Sequence, residues 1–189
     1  MRVALSLVTI LALAAVGAVW GAPQVAPSAP REETGVVLAG KRLAVTYGRP
    51  ALGGRTMFGV MIPYGQVWRA GADEATKLVT EIDLRIAGLA VPKGAYALFV
   101  IPGERDWQLV INKTADQWGA FNYDPRQDMG RVAMRLDSLA APLERLSMSL
   151  TASGETTGTL WIGWEKNVAS VDFEVVPDPA PPAAPPPAQ

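Results

Sequence analysis

The sequence predicts an all-β protein built as a single antiparallel β-sandwich of jelly-roll type. Apolar and polar residues alternate with period two over several stretches, and Pro- and Gly-bearing turn signals separate those stretches. No segment combines helical periodicity with capping residues.

Taken in chain order, Ile82, Leu84 and Ile86 alternate with Glu81, Asp83 and Arg85. Successive side chains of a strand point to opposite faces, so this stretch buries one side and wets the other. Residues 96–101 and 107–111 are apolar at nearly every position, which suits central strands covered on both faces. Alternation returns at Val132, Met134 and Leu136, at Leu146, Met148 and Leu150, and at Ala169, Val171, Phe173 and Val175. Between them, Val91-Pro92-Lys93-Gly94 predicts a type I turn and Ile101-Pro102-Gly103-Glu104 a type II turn. Gly154 and Gly158 bracket a hairpin loop before a strand over 160–164. Short helical turns are compatible with residues 73–76 and 116–118. No repeat of fixed period is visible, which argues against solenoids and propellers.

The ends differ from the middle. Met1-Arg2 followed by an apolar run over 3–19 reads as a secretory signal peptide, 1–21, cleaved after Gly21. Cleavage after Ala22 would place Pro23 at the disfavoured following position. Residues 22–32 form a Pro/Ala-rich linker, 33–176 the sandwich domain and 177–189 a disordered Pro/Ala-rich tail. The expected location is periplasmic or secreted, with no stable membrane insertion once the signal is removed. About 145 residues between the ends suffice for one domain with a sizeable core.

The 189-residue chain has 17 basic and 18 acidic residues, no histidine and no cysteine. The charges are dispersed, so the cationic face required for nucleic acid is not expected. An exported chain without cysteine has no disulfide and relies on packing. Without His or Cys, Ser-His-Asp and Cys-His nucleophile systems are impossible, as are zinc or haem sites built on those ligands. A general base would have to be a carboxylate, lysine or tyrosine. No cofactor and no metal site is expected. Asn122, Asp124 and Asp128 superficially suggest calcium ligands but lack the closing Glu of an EF-hand loop.

Residues 47–76 hold the densest chemistry: Arg49, Arg55, Arg69, Tyr47, Tyr64 and Trp68 among six glycines and two prolines. Y-G-R-P at 47–50 and G-R-T-M-F-G at 54–59 are followed by P-Y-G-Q-V-W-R-A-G-A-D-E-A-T at 63–76. P-K-G-A-Y-A-L-F-V-I-P-G at 92–103 and W-G-A-F-N-Y-D at 118–124 complete the set. Together these closely resemble the signature of a mostly bacterial, exported family known as domain of unknown function 2911. The resemblance supports one domain and an exported location and confers no activity. One departure is Asp73, where the family pattern carries Asn.

The candidate ligand-binding residues are Arg49, Arg55, Tyr64, Trp68, Arg69, Asp73 and Glu74. The arginines suit a carboxylate, phosphate or sulfate, because a planar guanidinium binds such groups bidentately. Equally, they suit pairing with Asp73, Glu74 or buried carbonyls, which would brace the loops. Tyr64 and Trp68, with Trp118 and Tyr123, suit stacking on a planar ligand or ordinary core packing. Asp73 and Glu74 are adjacent, so on an extended strand they face opposite ways. A glycosidase would need a second carboxylate about 5–9.5 Å from the first, with Asp124, Asp128 and Glu144 the candidates. The leading expectation is a non-catalytic envelope module binding a small molecule, a glycan or an envelope protein. The alternatives are a carboxylate-dependent enzyme acting on glycans, with Glu74 as acid or base and Arg69 orienting it, and a purely structural envelope protein.

Overall fold

The computed structural model describes residues 29–176. The expected signal peptide and cleavage site, most of the expected linker and the expected tail lie outside the described residues. The chain forms β1 (Arg31–Leu38), β2 (Lys41–Gly48), β3 (Thr76–Thr80), β4 (Asp83–Ile86) and β5 (Leu89–Val91). It continues with β6 (Gly94–Pro102), β7 (Trp107–Asn112), β8 (Asp128–Ala152) and β9 (Thr157–Val176). The alternating stretches at 131–136, 146–151 and 169–175 lie within β8 and β9, while of the stretch 81–86 only Asp83–Ile86 is strand and Glu81 and Ile82 form the bend before it. The fold is all-β and antiparallel, and one 3-10 turn (Pro125–Gln127) is the sole helical element among the described residues.

Pairing runs through one nine-stranded sheet in the order β1-β2-β3-β6-β7-β8-β9-β4-β5. The β4–β5 hairpin is thus carried to the far edge from its sequence neighbours. Tight hairpins explain both short turns at the edges. Ala39-Gly40 and Ala87-Gly88 each take positive φ at both residues, the geometry whose twist matches flanking strands. Strand β8 holds the sheet together by changing partners. Residues 128–134 pair with β7, and from Arg135 onward the strand pairs with β9. Register shifts between Ser138, Leu143 and Ser147 accommodate Pro142, which has no N–H for a ladder.

The long strands let the sheet fold over on itself. Leu43, Val45, Leu78, Leu98 and Leu109 from one half meet Leu84, Ile86, Leu150, Leu160, Val171 and Phe173 from the other around an apolar void of about 10 Å³. Such a space holds one water at most and offers it no polar partner. Burial on both faces of β6 and β7 also has a physical cause. Leu98, Val100, Leu109 and Ile111 face the main core. Ala97, Phe99 and Val110 face outward but are covered by Ala75, Val67, Ala120 and Tyr123 from the loops.

Two local expectations need correction. Strand β6 runs through Pro102, paired with Trp107, and Gly103 does not take the positive φ that a type II turn requires. The loop closes instead by Gly103 N–H donating to Asp106 O at 2.8 Å. No helical turn forms at 73–76 or 116–118; Glu74 and Trp118 form an isolated antiparallel bridge there.

Candidate functional site

The residues singled out in the sequence occupy the connection between β2 and β3. Its length is absorbed by stitching to the sheet. Leu52 N–H donates to Glu144 O at 2.8 Å, and Leu146 N–H to Pro50 O at 3.1 Å. The Glu165 carboxylate accepts from Met57 N–H at 2.8 Å. Trp68 then takes a ladder position beside β6, exchanging two 2.8 Å hydrogen bonds with Val100. Residues 70–75 loop outward, with positive φ at Ala70 and Asp73. The loop closes through Thr76, whose N–H donates to Arg69 O at 3.2 Å and whose Oγ1 donates to Ala70 O at 2.9 Å. Gly48 is required beneath it, since a Cβ there would lie 2.1 Å from Ala72 O.

An aromatic cluster anchors the connection. Phe58 lies edge-on to Trp68 at 5.5 Å and to Trp164 at 6.2 Å, and 4.6 Å from Trp107. Above it opens a cleft of about 290 Å³ lined by Arg55, Arg69, Trp68, Trp164, Met57 and Met61, among others. Among the described residues, no carboxylate side chain lines it. Arg55 is fixed to its own loop, Nε donating to Leu52 O and Nη2 to Ala51 O, both at 2.8 Å. Arg69 Nε donates to Gly71 O at 3.2 Å. Among the described residues, Arg55 Nη1 and both Nη groups of Arg69 have no hydrogen-bond partner. Trp164 is 2% exposed, and its buried Nε1–H also has no partner. The cleft therefore presents guanidinium donors on an apolar wall.

Of the seven candidates, the fold brings Arg55, Trp68 and Arg69 together here. The others lie elsewhere. Arg49 braces the sheet, Nε donating to Leu146 O at 3.1 Å and Nη1 pairing with Glu32 at 2.7 Å. Tyr64 is 42% exposed and packs over Gly59. Asp73 accepts from Ala29 N–H at 2.9 Å. Of the bracing partners weighed for Arg69, it takes a backbone carbonyl rather than Glu74, which pairs with Arg31 at 3.0 Å. The left-handed turns at Ala70 and Asp73 redirect the chain between residues 69 and 74.

Glu74 lines a separate cleft of about 350 Å³ with Arg31, Lys77, Asp116, Gln117 and Trp118. Asp116 shares that cleft with it, whereas Asp124, Asp128 and Glu144 do not. Both carboxylates are engaged by cations, Asp116 by Lys77 at 2.6 Å. The residues resembling calcium ligands have other work. Asp124 caps the 3-10 turn and pairs with Arg126 at 2.9 Å. Asp128 accepts from Asn112 at 2.9 Å, from Tyr123 at 2.6 Å and from Arg131. Burial, and then the Asp128 carboxylate, push the Tyr123 hydroxyl up to about 12. No cluster of acidic side chains suited to a metal occurs among the described residues.

Sequence reasoning missed Trp164, Met57 and Met61. Trp164 lies on β9, far along the chain, and reads there as one apolar position in a strand. Only pairing of β8 with β9 and the stitching of the connection onto β8 bring it to Arg69.

Comparison with curated proteins and with solved structures gave no significant match. A family model described as "Protein of unknown function (DUF2911)" matches residues 29–173. That span covers all nine strands almost to the end of β9, together with both clefts, and the chain belongs to the DUF2911 family.

Proposed function

We propose that the chain is an exported, non-catalytic binding module of the cell envelope, with its ligand seat in the cleft between Arg55 and Arg69. One observation carries this reading. Two guanidiniums are held in place by backbone carbonyls, yet retain N–H groups with no described partner, on a cleft without a carboxylate. Groups fixed in advance lose little freedom on binding, and arginine forks match oxyanions and other acceptors. The basic start and apolar run of residues 1–19 support export. The lack of histidine and cysteine supports binding over catalysis.

The test is a thermal-shift panel of organic acids, inorganic anions and sugars on the wild type and the Arg55→Met/Arg69→Met double variant. A ligand of the native state raises the melting temperature by mass action. At least one compound is expected to stabilise the wild type and leave the variant unmoved. Equal shifts in both proteins would place the seat elsewhere. Mass spectrometry of the exported protein tests signal cleavage, with an N-terminus at Ala22 expected; intact Met1 in a membrane fraction would overturn cleavage and a soluble product.

A further inference from the structure

The geometry points to a small organic acid as the occupant of the Arg55–Arg69 cleft, its carboxylate on the guanidiniums and its apolar body against Trp68 and the methionines. This rests on reading the cleft as a binding seat, and it names the chemistry of what sits there.

The donor set is one-sided. Among the described residues, Arg55 Nη1 and Arg69 Nη1 and Nη2 are donors without partners, and a guanidinium has no acceptor capacity. A guanidinium N–H without a protein acceptor gains a charge-assisted hydrogen bond from a ligand that supplies one. A sugar hydroxyl brings a donor with every acceptor. Among the lining side chains nothing but the thioethers of Met57 and Met61 could take those protons, and thioethers accept weakly. The Gly71 carbonyl is already engaged by Arg69. A carboxylate is acceptor-only when ionised, which matches the donor set.

The wall separates an organic acid from a bare anion. Pro50, Met57, Met61, Ile62, Trp68 and Trp164 line most of the cleft. Inorganic phosphate would satisfy the donors and leave that surface uncovered, whereas an alkyl or planar body attached to a carboxylate would cover it. Burying that body supplies affinity roughly in proportion to its apolar area. The volume of about 290 Å³ suits a small molecule or the acidic end of a larger one.

The test uses the full exported chain and follows the tryptophan indole resonances by ¹H–¹⁵N NMR, with Trp164→Phe assigning the Trp164 signal. Hexanoate, hexanol and inorganic phosphate are titrated in parallel. Hexanoate is expected to bind saturably and shift the Trp164 N–H resonance. Arg69→Met should weaken it at least tenfold, as expected for losing a hydrogen bond to a charged group. Hexanol and phosphate should each bind at least tenfold more weakly than hexanoate. If Trp164→Phe fails to fold, the Arg69→Met comparison and the wild-type resonances still decide the matter. Phosphate matching hexanoate would overturn the organic acid in favour of a bare oxyanion. Hexanol matching it would show that the charge is irrelevant. If no probe binds while a sugar from the wider panel binds in an Arg55- and Arg69-dependent way, the seat stands and its acid chemistry falls. Failure of every compound in both experiments removes both.

Discussion

Trp68 and Trp164 lie stacked, ring centroids 6.0 Å apart and planes 18° from parallel. One belongs to the β2–β3 connection and the other to β9, so the stack pins the connection to the sheet beneath the cleft. Phe58 meets both edge-on, which favours the ring quadrupoles of all three. Trp68→Ala is therefore expected to destabilise the domain by about 3–5 kcal/mol, from lost burial and the cavity left behind. Trp68→Phe should cost less. Urea melts of both variants measure this, and a loss under about 1 kcal/mol for alanine would show that the stack is incidental.

Arg69 and Arg49 should separate in stability although the sequence treats them alike. Arg49 joins Leu146 O and Glu32 in a half-buried pairing, and Arg49→Met is expected to cost about 1–2 kcal/mol. Arg69 holds one backbone carbonyl and is otherwise uncommitted, so Arg69→Met should cost under about 1 kcal/mol. Glu74→Gln loses a partly exposed pair with Arg31 and should also stay under about 1 kcal/mol. Denaturant midpoints decide all three, and an Arg69→Met loss of several kcal/mol would mean that Arg69 braces the loop.

Alternation made the strands legible, because period-two burial is written residue by residue in stretches such as Ile82-Asp83-Leu84-Arg85-Ile86. Continuity was less legible. Val132–Leu136 and Leu146–Leu150 read as separate strands, yet both belong to β8, joined through the irregular pairing around Pro142. A bulge and a turn share Pro and small residues, and pairing partners distinguish them. The cleft was half legible. Arg55, Trp68 and Arg69 stood out because arginine and tryptophan are unusual in a glycine-rich connection. Trp164 did not, because an aromatic in a strand reads as core. Which partner Arg69 takes was not legible for a local reason: positive φ at Ala70 and Asp73 cannot be counted from spacing.

Gly48→Ala tests the close approach under the outward loop. Its Cβ would meet Ala72 O at 2.1 Å, too close for any contact, and the obstacle is backbone that cannot rotate away. The expected cost is about 1–3 kcal/mol or more. Gly65→Ala is the control, with open space around its Cβ but φ +77°, and should cost about 1 kcal/mol from backbone strain alone. Thermal melts compare them, and equal losses would remove the steric argument.

Alkaline pH should weaken the fold through Tyr123. Its hydroxyl, partly buried and donating to Asp128, is raised from 10.0 to about 12. Between those values the unfolded chain has lost this proton and the folded chain keeps it, so stability falls as pH rises. The contribution is full below about pH 10 and disappears as pH passes about 12. Tyr47, raised mainly by burial, adds a slope of the same sign. Urea melts from pH 9 to 12 should show the decline, and Tyr123→Phe should flatten part of it; an unchanged slope in the variant would dismiss Tyr123 as its source.

Asp73→Asn is expected to leave both fold and cleft intact. Asp73 adopts φ +63°, a left-handed conformation that asparagine and aspartate tolerate better than most other side chains. Its Oδ2 accepts from Ala29 N–H at 2.9 Å, and its carbonyl accepts from Gly119 N–H at 2.9 Å. An asparagine can keep each of these: the amide oxygen still accepts and the backbone is unchanged. Backbone conformation alone would accommodate an asparagine at this position, with no need for an amide donor to a ligand. Stability should move by less than about 0.5 kcal/mol, and hexanoate affinity should not change, since Asp73 does not line the arginine cleft. Asp73→Val supplies the contrast. A β-branched side chain is strained at positive φ and cannot accept from Ala29, so a loss of about 1–3 kcal/mol is expected. Denaturant melts with parallel titrations measure both variants. A change in ligand affinity with Asp73→Asn, at unchanged stability, would return residue 73 to the binding site.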